Sequence, residues 1–371
     1  MKKTIIFNAN TSWYLFNFRA STIKALQEQG YLIVCVSPED EYSYRITHEL
    51  GCIWEPVSLD NNGSNPLRDL GFMLQLIKIY NKYKPLVVFN FTIKNNIYGT
   101  WAARLVGVYA INNVSGLGTA FINKGITSVV VRWLYKLSQP SAYKVFCQNE
   151  EDYQLLIANR LVPAHKLDLL PGSGVDINRF SPGLLDNNNN KFVFLYVGRM
   201  LSDKGLNELI QAAEKLYQKR QDFIVQLCGF AGVKNNSAIA QATLDIWSQL
   251  PYIDYLGSSD CIEKVYAKAN CVVLPSYREG MPRSLLEAGA MGLPSITTDV
   301  PGCRNIIINN INGLLCDVKS SSSLFSAMLN LLDLPDDVFD SLCLNARSKV
   351  VNEFDEKIVI NKALSVVKEL S

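Results

Sequence analysis

The sequence predicts an α/β protein of two doubly wound, Rossmann-like domains in series. Three observations predict it. A chain of 371 residues exceeds what one ordinary core organises. Short apolar runs alternate with helix-period segments along both halves. A polar stretch, Asn178–Lys191, with Pro, Gly and four consecutive Asn, separates the two series and reads as a linker. The expected bounds are residues 1–177 for the first domain and 191–350 for the second.

In the first half, Thr4–Phe7, Tyr31–Val36, Cys52–Val57, Leu86–Asn90, Ala110–Val114 and Tyr143–Cys147 read as buried strands. The segments Phe18–Gln29, Leu67–Tyr83 and Thr127–Leu137 read as helices between them. In the second half the strands are Phe192–Val197, Phe223–Cys228, Tyr252–Leu256, Cys271–Leu274 and Ser295–Thr297, and Pro335–Ser371 reads as helical. Such alternation implies right-handed crossovers and parallel sheets. Open sheets of this kind bind ligands beyond the carboxyl ends of their strands. Two such edges facing across a cleft would hold two substrates.

Composition narrows the classes. Apolar residues make up 48% and no long polar tract interrupts them, so the chain is globular rather than disordered. Net charge is only +2, but its distribution is uneven. From Leu70 to Asn149 there is no Asp or Glu, against Lys78, Lys82, Lys84, Lys94, Arg104, Lys124, Arg132, Lys136 and Lys144. An uncompensated positive surface attracts phosphates, anionic lipid or nucleic acid. No recognised nucleic-acid motif accompanies it. Leu67–Tyr83 and Thr127–Leu137 mix apolar residues with Lys and Arg, as a helix on an anionic membrane face would. Each alone reads more simply as a helix packed on its sheet; the acid-free stretch as a whole points to an anionic partner. The nine cysteines contain no C-x-x-C, and Cys35, Cys147, Cys228 and Cys271 sit in apolar runs. They read as buried free thiols of a reducing cytoplasm. Asn8 and Asn10 follow the start too closely for a signal peptide, and no apolar run is long enough to span a membrane.

The densest chemistry lies in Leu274-Pro-Ser-Tyr-Arg-Glu-Gly-Met-Pro-Arg-Ser-Leu-Leu-Glu287. A strand ends at Leu274 and a loop with Gly280 and Met281 follows. Pro282 is placed to open a helix, where its missing N–H costs nothing. The amides of Arg283 and Ser284 would then face a diphosphate at the helix start. Glu279 precedes the helix and Glu287 lies in its second turn, too far apart to share a proton. Glu287 suits the vicinal hydroxyls of a ribose, and Glu279 the transferred group. Taken singly, each carboxylate reads as a solvated charge; together with the Gly-Met-Pro turn and apolar flanks they read as a site. The second piece is Tyr196-Val-Gly-Arg199-Met-Leu-Ser-Asp-Lys204-Gly. Arg199 at a strand end and Lys204 at the entry to the next helix would neutralise a departing diphosphate. Cations near a helix start are otherwise mildly unfavourable. The third is Leu227-Cys-Gly229, a strand ending in Gly, where a nucleotide would approach the backbone.

Gly198-Arg199-x4-Lys204 together with Glu279-x7-Glu287 resembles the retaining GT-B glycosyltransferases of family 4. The resemblance covers nearly the whole chain and is strongest over residues 192–316. It implies that Arg199 and Lys204 hold the donor diphosphate, and that Glu279 and Glu287 hold donor sugar and ribose. It also implies that the last helix, 354–371, crosses back to complete the first domain. Asn10-Thr-Ser-Trp-Tyr-Leu-Phe-Asn-Phe-Arg19, Val114-Ser-Gly-Leu-Gly118 and Ser276-Tyr-Arg-Glu-Gly are similar to a bacterial subgroup. Its members add an N-acetylhexosamine, typically N-acetylgalactosamine in α-1,3 linkage, to a sugar on undecaprenyl diphosphate. On that likeness Asn10, Thr11, Ser12, Ser115, Gly116 and Gly118 form the acceptor side. The chain departs from the wider family in two ways. Asn10-Thr11-Ser12 stands where a Gly-Gly is usual. The His that many members place near the donor sugar is missing, since neither His48 nor His165 follows a central strand.

No D-x-D lies near a strand end, so no metal clamp and no cofactor is expected beyond a UDP-sugar co-substrate. No carboxylate is an evident nucleophile, which favours same-face attack with the departing phosphate accepting the proton. The expected partners are a nucleotide-sugar donor, a lipid-diphosphate-linked saccharide and an anionic membrane surface at the cytoplasmic face, with no nucleic acid. A GDP-mannose-dependent mannosyltransferase and a nucleotide-sugar epimerase share this layout. A Rossmann oxidoreductase fits less well, because Gly116-x-Gly118 is only a fragment of the G-x-G-x-x-G turn.

Overall fold

The computed structural model describes residues 2–60, 65–116, 126–185, 190–232, 235 and 237–371, with backbone only at 126 and 127. The chain divides into two compact units, Met1–Ser173 with Lys357–Ser371, and Gly174–Glu356.

The first unit is built on a seven-stranded parallel sheet in the order β3-β2-β1-β4-β5-β6-β7. Its strands are β1 (Thr4–Asn8), β2 (Leu32–Ser37), β3 (Ile53–Pro56), β4 (Val87–Phe91), β5 (Tyr109–Val114), β6 (Lys144–Cys147) and β7 (Leu167–Leu169). Every residue of β1 and β4 is buried, because helices cover both faces. The helix Ser12–Glu28 and the C-terminal helix Glu356–Glu369 pack on one face through Leu15, Ile23, Leu26, Val359, Val366 and Val367. The helix Pro66–Tyr83 covers the other with Phe72, Leu76, Ile79 and Tyr80, one stripe at helical spacing. Asn65 caps it by accepting from the amides of Leu67 and Arg68, and Pro66 fills the first turn. Further bonds fix the last helix: Lys362 pairs with Asp168 at 2.6 Å, and Lys3 donates to the Ser371 carbonyl at 2.6 Å.

The second unit carries a six-stranded parallel sheet in the order β10-β9-β8-β11-β12-β13. These are β8 (Phe192–Val197), β9 (Phe223–Cys228), β10 (Ile253–Gly257), β11 (Cys271–Leu274), β12 (Ser295–Thr298) and β13 (Gly313–Cys316). In both sheets the strand order turns back beside the first strand, between β1 and β4 and between β8 and β11. Those are the switch points where such sheets open a crevice.

The start of the expected linker is not a linker. Val175 and Phe180 are fully buried in the second core, and Phe180 meets the Tyr266 ring edge-on at 5.9 Å. Arg347 donates to the carbonyls of Ile177 (3.0 Å) and Phe180 (2.8 Å). One large apolar ring in a polar window outweighs its neighbours. Residues 186–189 of that stretch lie outside the described residues. The expected C-terminal helical segment is two helices, Asp336–Glu353 and Glu356–Glu369, parted at Phe354.

The acid-free stretch is less uncompensated than its sequence suggests. Lys82 pairs with Glu55 (2.6 Å), Lys94 with Asp69 (2.6 Å) and Lys144 with Asp168 (3.7 Å), all acids from outside it. Among the described residues no helix is long and apolar enough to cross a membrane.

Cys35, Cys147, Cys228 and Cys271 are buried as expected, and no cysteine is in a disulfide among the described residues. Burial pushes the thiols of Cys147 and Cys303 up to about 12 and that of Cys228 to about 11. Only Cys261 is exposed and Cys343 is half-buried. Titration of the native protein with a thiol-specific disulfide reagent at pH 8 is therefore expected to consume one equivalent quickly and a second slowly. The rest should react only after unfolding; several fast equivalents would contradict this core.

Candidate functional site

The second unit gathers its chemistry at the β8/β11 switch point. β8 ends at Val197 and delivers Gly198 and Arg199; the Arg199 side chain is exposed, and its carbonyl accepts from the buried Tyr196 hydroxyl at 2.8 Å. The chain then makes a one-turn 3₁₀ helix, Ser202–Lys204, before Gly205 and the helix Leu206–Tyr217. Lys204 thus sits before the next helix rather than entering it. Gly205 has φ +76, and a Cβ there would lie 2.0 Å from the Pro275 carbonyl oxygen. The Tyr277 amide donates to the Asp203 carbonyl at 2.9 Å. These two contacts seat the Arg199–Lys204 loop against the loop that leaves β11. Threonines of β12 pin that second loop: Thr297 donates to the Leu274 carbonyl at 2.7 Å and Thr298 to the Ser276 carbonyl.

Lys204 and Glu279 meet here in a partly buried ion pair. Separate roles for the two, one on diphosphate and one on sugar, are therefore not separate in space. The carboxylate holds the ammonium at the loop junction, and a ligand there meets the pair. Pro282 is the N-cap residue of the helix Arg283–Ala290, one position earlier than expected. Its extended ψ of 113° turns the chain into the helix, and its carbonyl receives the Leu285 amide at 3.1 Å. Arg283 and Ser284 form the first turn, with Met281 packed against the core beside them. At the far end Arg347 donates to the Ala290 carbonyl, a cation closing a helix C-terminus.

Glu287 is 7% exposed. Its carboxylate accepts from Arg283 Nε at 2.8 Å and from the Tyr266 hydroxyl at 2.9 Å. Burial raises its pKa above the ordinary carboxyl value, against the opposing pull of Arg283 and the Tyr266 bond. Tyr266 in turn is pushed up by burial and by that carboxylate. A carboxylate has about four acceptor positions, so two bonds leave capacity for vicinal hydroxyls. Gly229, expected where a nucleotide would approach, makes a close backbone contact of its own. Its Cβ would lie 1.8 Å from the Gly198 carbonyl oxygen, so the close approach is between the ends of β8 and β9. Among the described residues no cluster of three His, Cys, Asp or Glu side chains is placed to hold a metal.

The first unit opens a cavity of about 250 Å³ at its own switch point. Asn10, Thr92, Ile93, Lys94, Asn96, Val114, Ser115, Gly116 and Tyr135 line it. The expected acceptor-side residues divide. Asn10, Ser115 and Gly116 line the cavity. Thr11 caps the helix Ser12–Glu28, accepting from the Tyr14 amide at 3.1 Å. Ser12 is fully buried and bonds Ser37 (2.6 Å) and Ser43 (2.9 Å), so it ties that helix to its neighbours and is not among the residues that line the cavity. Gly118 lies outside the described residues. His48 stacks on Tyr44 and His165 sits exposed in a 3₁₀ turn, both away from the cavity.

The cavity wall was not expected. β4 leaves through Thr92 at φ +76 into a π-turn, Asn95–Gly99, which carries Lys94 and Asn96 to the rim. Buried carboxamides hold it. Asn8 donates to Asn90 at 3.2 Å, Asn90 to Asn112 at 2.9 Å, and Asn112 to Gln139 at 2.7 Å. Asn96 donates to the Asn113 carbonyl and the Tyr135 hydroxyl, each at 3.0 Å. The sequence signal was present: Asn8, Asn90 and Asn112 interrupt apolar strand runs, where a polar side chain needs a partner.

The comparisons agree with this layout. Residues 4–149 match the family model described as glycosyl transferase 4-like, and residues 180–347 that described as glycosyl transferases group 1. The chain is 27% identical over 317 residues to the UDP-Gal:alpha-D-GlcNAc-diphosphoundecaprenol alpha-1,3-galactosyltransferase of Escherichia coli, covering 82% of this chain and 79% of that one. It is 26% identical over 368 residues to the N,N'-diacetylbacillosaminyl-diphospho-undecaprenol alpha-1,3-N-acetylgalactosaminyltransferase of Campylobacter jejuni, covering 95% of each. Sucrose-phosphate synthase of Thermosynechococcus elongatus shares the fold, with a TM-score of 0.82 at 18% identity over 100% of this chain and 99% of that one.

Gly205→Ala should lower stability by about 2–4 kcal/mol, because a methyl group cannot enter the Pro275 contact without parting the two loops. Urea unfolding measures it; a loss under 0.5 kcal/mol would mean the loops are not seated on each other.

Proposed function

We propose, from the premise that this chain is a glycosyltransferase of GT-B fold joining a glycosyl transferase 4-like domain to a glycosyl transferases group 1 domain, that it transfers a sugar from a UDP-sugar to a saccharide carried on polyprenyl diphosphate in bacterial glycan assembly. The sugar we favour is an N-acetylhexosamine such as N-acetylgalactosamine. The convergence of Arg199, the Lys204–Glu279 pair, the Pro282 helix start and buried Glu287 at one switch point carries this reading. The similar enzymes of E. coli and C. jejuni, whose names specify diphosphoundecaprenol-linked acceptors, support the acceptor class.

In this reading the uracil nucleoside lies along the carboxyl edge of β8 and β11, with its ribose hydroxyls on Glu287. The diphosphate sits between Arg199, Lys204 and the first turn of the helix Arg283–Ala290, and the sugar reaches Glu279. As the bond from the anomeric carbon to the diphosphate breaks, negative charge grows on the leaving oxygen. Fixed cations that meet it there stabilise the transition state more than the ground state. Protein cations supply this charge without a metal. The acceptor hydroxyl attacks from the face the nucleotide leaves, and its proton passes to a phosphate oxygen of the departing UDP, so configuration is retained.

The acceptor's lipid calls for a membrane surface. The helix Ile126–Ser138 exposes Val129, Val130, Trp133 and Leu137, with Lys136 exposed among them. Trp133 is 60% exposed. An apolar face with flanking cations fits the inner, anionic leaflet.

At about 100 times its Kd, UDP adds ~2.7 kcal/mol of stability. Thermal melts with UDP and GDP should therefore show a shift for UDP that Lys204→Ala and Glu287→Ala abolish. Unchanged shifts in both variants would remove the site. Trapping a covalent sugar–enzyme ester would overturn the single-step, same-face mechanism. Co-sedimentation with phosphatidylglycerol vesicles at low salt should fall at least fivefold in a Val129→Glu, Trp133→Glu double variant; equal recovery would refute this helix as the membrane face.

A further inference from the structure

Arg19 is a buried cation without a counter-ion. It is 3% exposed, on the helix Ser12–Glu28, among Phe7, Phe89, Phe91 and Phe146. No carboxylate pairs with it among the described residues, and its Nε has no hydrogen-bond partner. A guanidinium removed from water in this way is costly. Its compensation is partial. It lies 4.4 Å from the centre of the Phe91 ring and donates from Nη2 to the Tyr14 hydroxyl at 2.9 Å. Packing alone would be served as well by a Leu or Met.

The first hydrogen-bond direction follows from the groups. Arginine only donates, so Tyr14 Oη accepts from it. The other neighbour of that oxygen is Ser115 Oγ at 3.1 Å. Either oxygen can donate in that bond; Ser115 is the one acceptor for the phenolic proton among the described residues, so we assign the proton to it, which leaves the Ser115 proton for a third group. Ser115 lines the 250 Å³ cavity beside Lys94 and Asn10. A chain of hydrogen bonds headed by a buried cation polarises each successive hydroxyl. The charge on Arg19 thus reaches the cavity as a strengthened O–H donor.

We propose that Arg19, Tyr14 and Ser115 form a donor relay that makes this cavity a site for a phosphate-class oxyanion. Ser115 touches the ligand; Tyr14 and Arg19 are positioning residues that act through it. A sugar hydroxyl also accepts hydrogen bonds, but it returns nothing for burying a positive charge. An oxyanion does. The assignment of that oxyanion to the diphosphate of the lipid acceptor rests on the proposed function; the relay itself does not.

Calorimetric titration of the full chain with farnesyl diphosphate and, separately, inorganic pyrophosphate tests it. Tyr14→Phe keeps the ring over Arg19 and removes only the hydroxyl; Ser115→Ala removes the terminal donor. Each should weaken diphosphate binding about tenfold, the double variant no more than Ser115→Ala alone, and Ser115→Thr should restore it. UDP binding, which reports on the other unit, should stay within twofold throughout. Equal losses with both probes mean that phosphate chemistry alone is read; losses with the prenyl probe alone mean that the lipid diphosphate is the source. Diphosphate affinities within twofold of wild type in both single variants, additive losses in the double, or no binding of either probe by wild type would overturn the relay. Wild type that binds diphosphate but not UDP would instead sink the donor reading and leave the relay standing.

Discussion

Two backbone contacts with no room for a side chain govern the second unit's site. Gly229 lies on the Gly198 carbonyl and Gly205 on the Pro275 carbonyl. The first brings the ends of β8 and β9 together; the second joins the loops leaving β8 and β11. Everything chemical hangs on these joints. Arg199 follows Gly198 directly, Lys204 precedes Gly205, and Glu279 can meet Lys204 only because Pro275 rests where a methyl group would be. Catalytic groups that must be aligned with a developing charge gain from such rigid supports.

The first unit solves the same problem by other means. Its switch point is built on asparagines in register across β1, β4 and β5, each buried and bonded to the next. A hydrogen bond there is stronger than in water, and a broken one is costly, so the network allows few arrangements. The π-turn after β4 is held by this network rather than by close backbone packing. One unit thus fixes its loops by exclusion of side chains and the other by a chain of hydrogen bonds between buried carboxamides.

Much of this was legible beforehand. Short apolar runs marked eleven strands, and the charged pieces near Arg199 and Glu279 fell at strand ends as their spacing implied. The strands β7 and β13 escaped because three or four residues, Leu-Asp-Leu in one case, carry too little periodicity to stand out. The Lys204–Glu279 pair joins residues far apart in sequence and could not be read from either motif. Ser12 was placed on the acceptor side by likeness and is buried, because three serines satisfy one another out of water. Arg19 was read as part of a family-like string, and nothing local announced that its charge would be enclosed by phenylalanines.

The last helix has a consequence for synthesis. The wall of the first unit formed by Val359, Ala363, Val366 and Val367 is made from residues translated after the whole second unit. A nascent chain emerging from the ribosome therefore carries an open apolar trough on Phe7, Phe89 and Phe146 until the residues after Glu356 have emerged. The second unit, contiguous in sequence, completes its own interior first. Maturation runs from the middle outward, and a stop codon in place of Lys357 would leave an intact second unit joined to a first unit without its helix Glu356–Glu369.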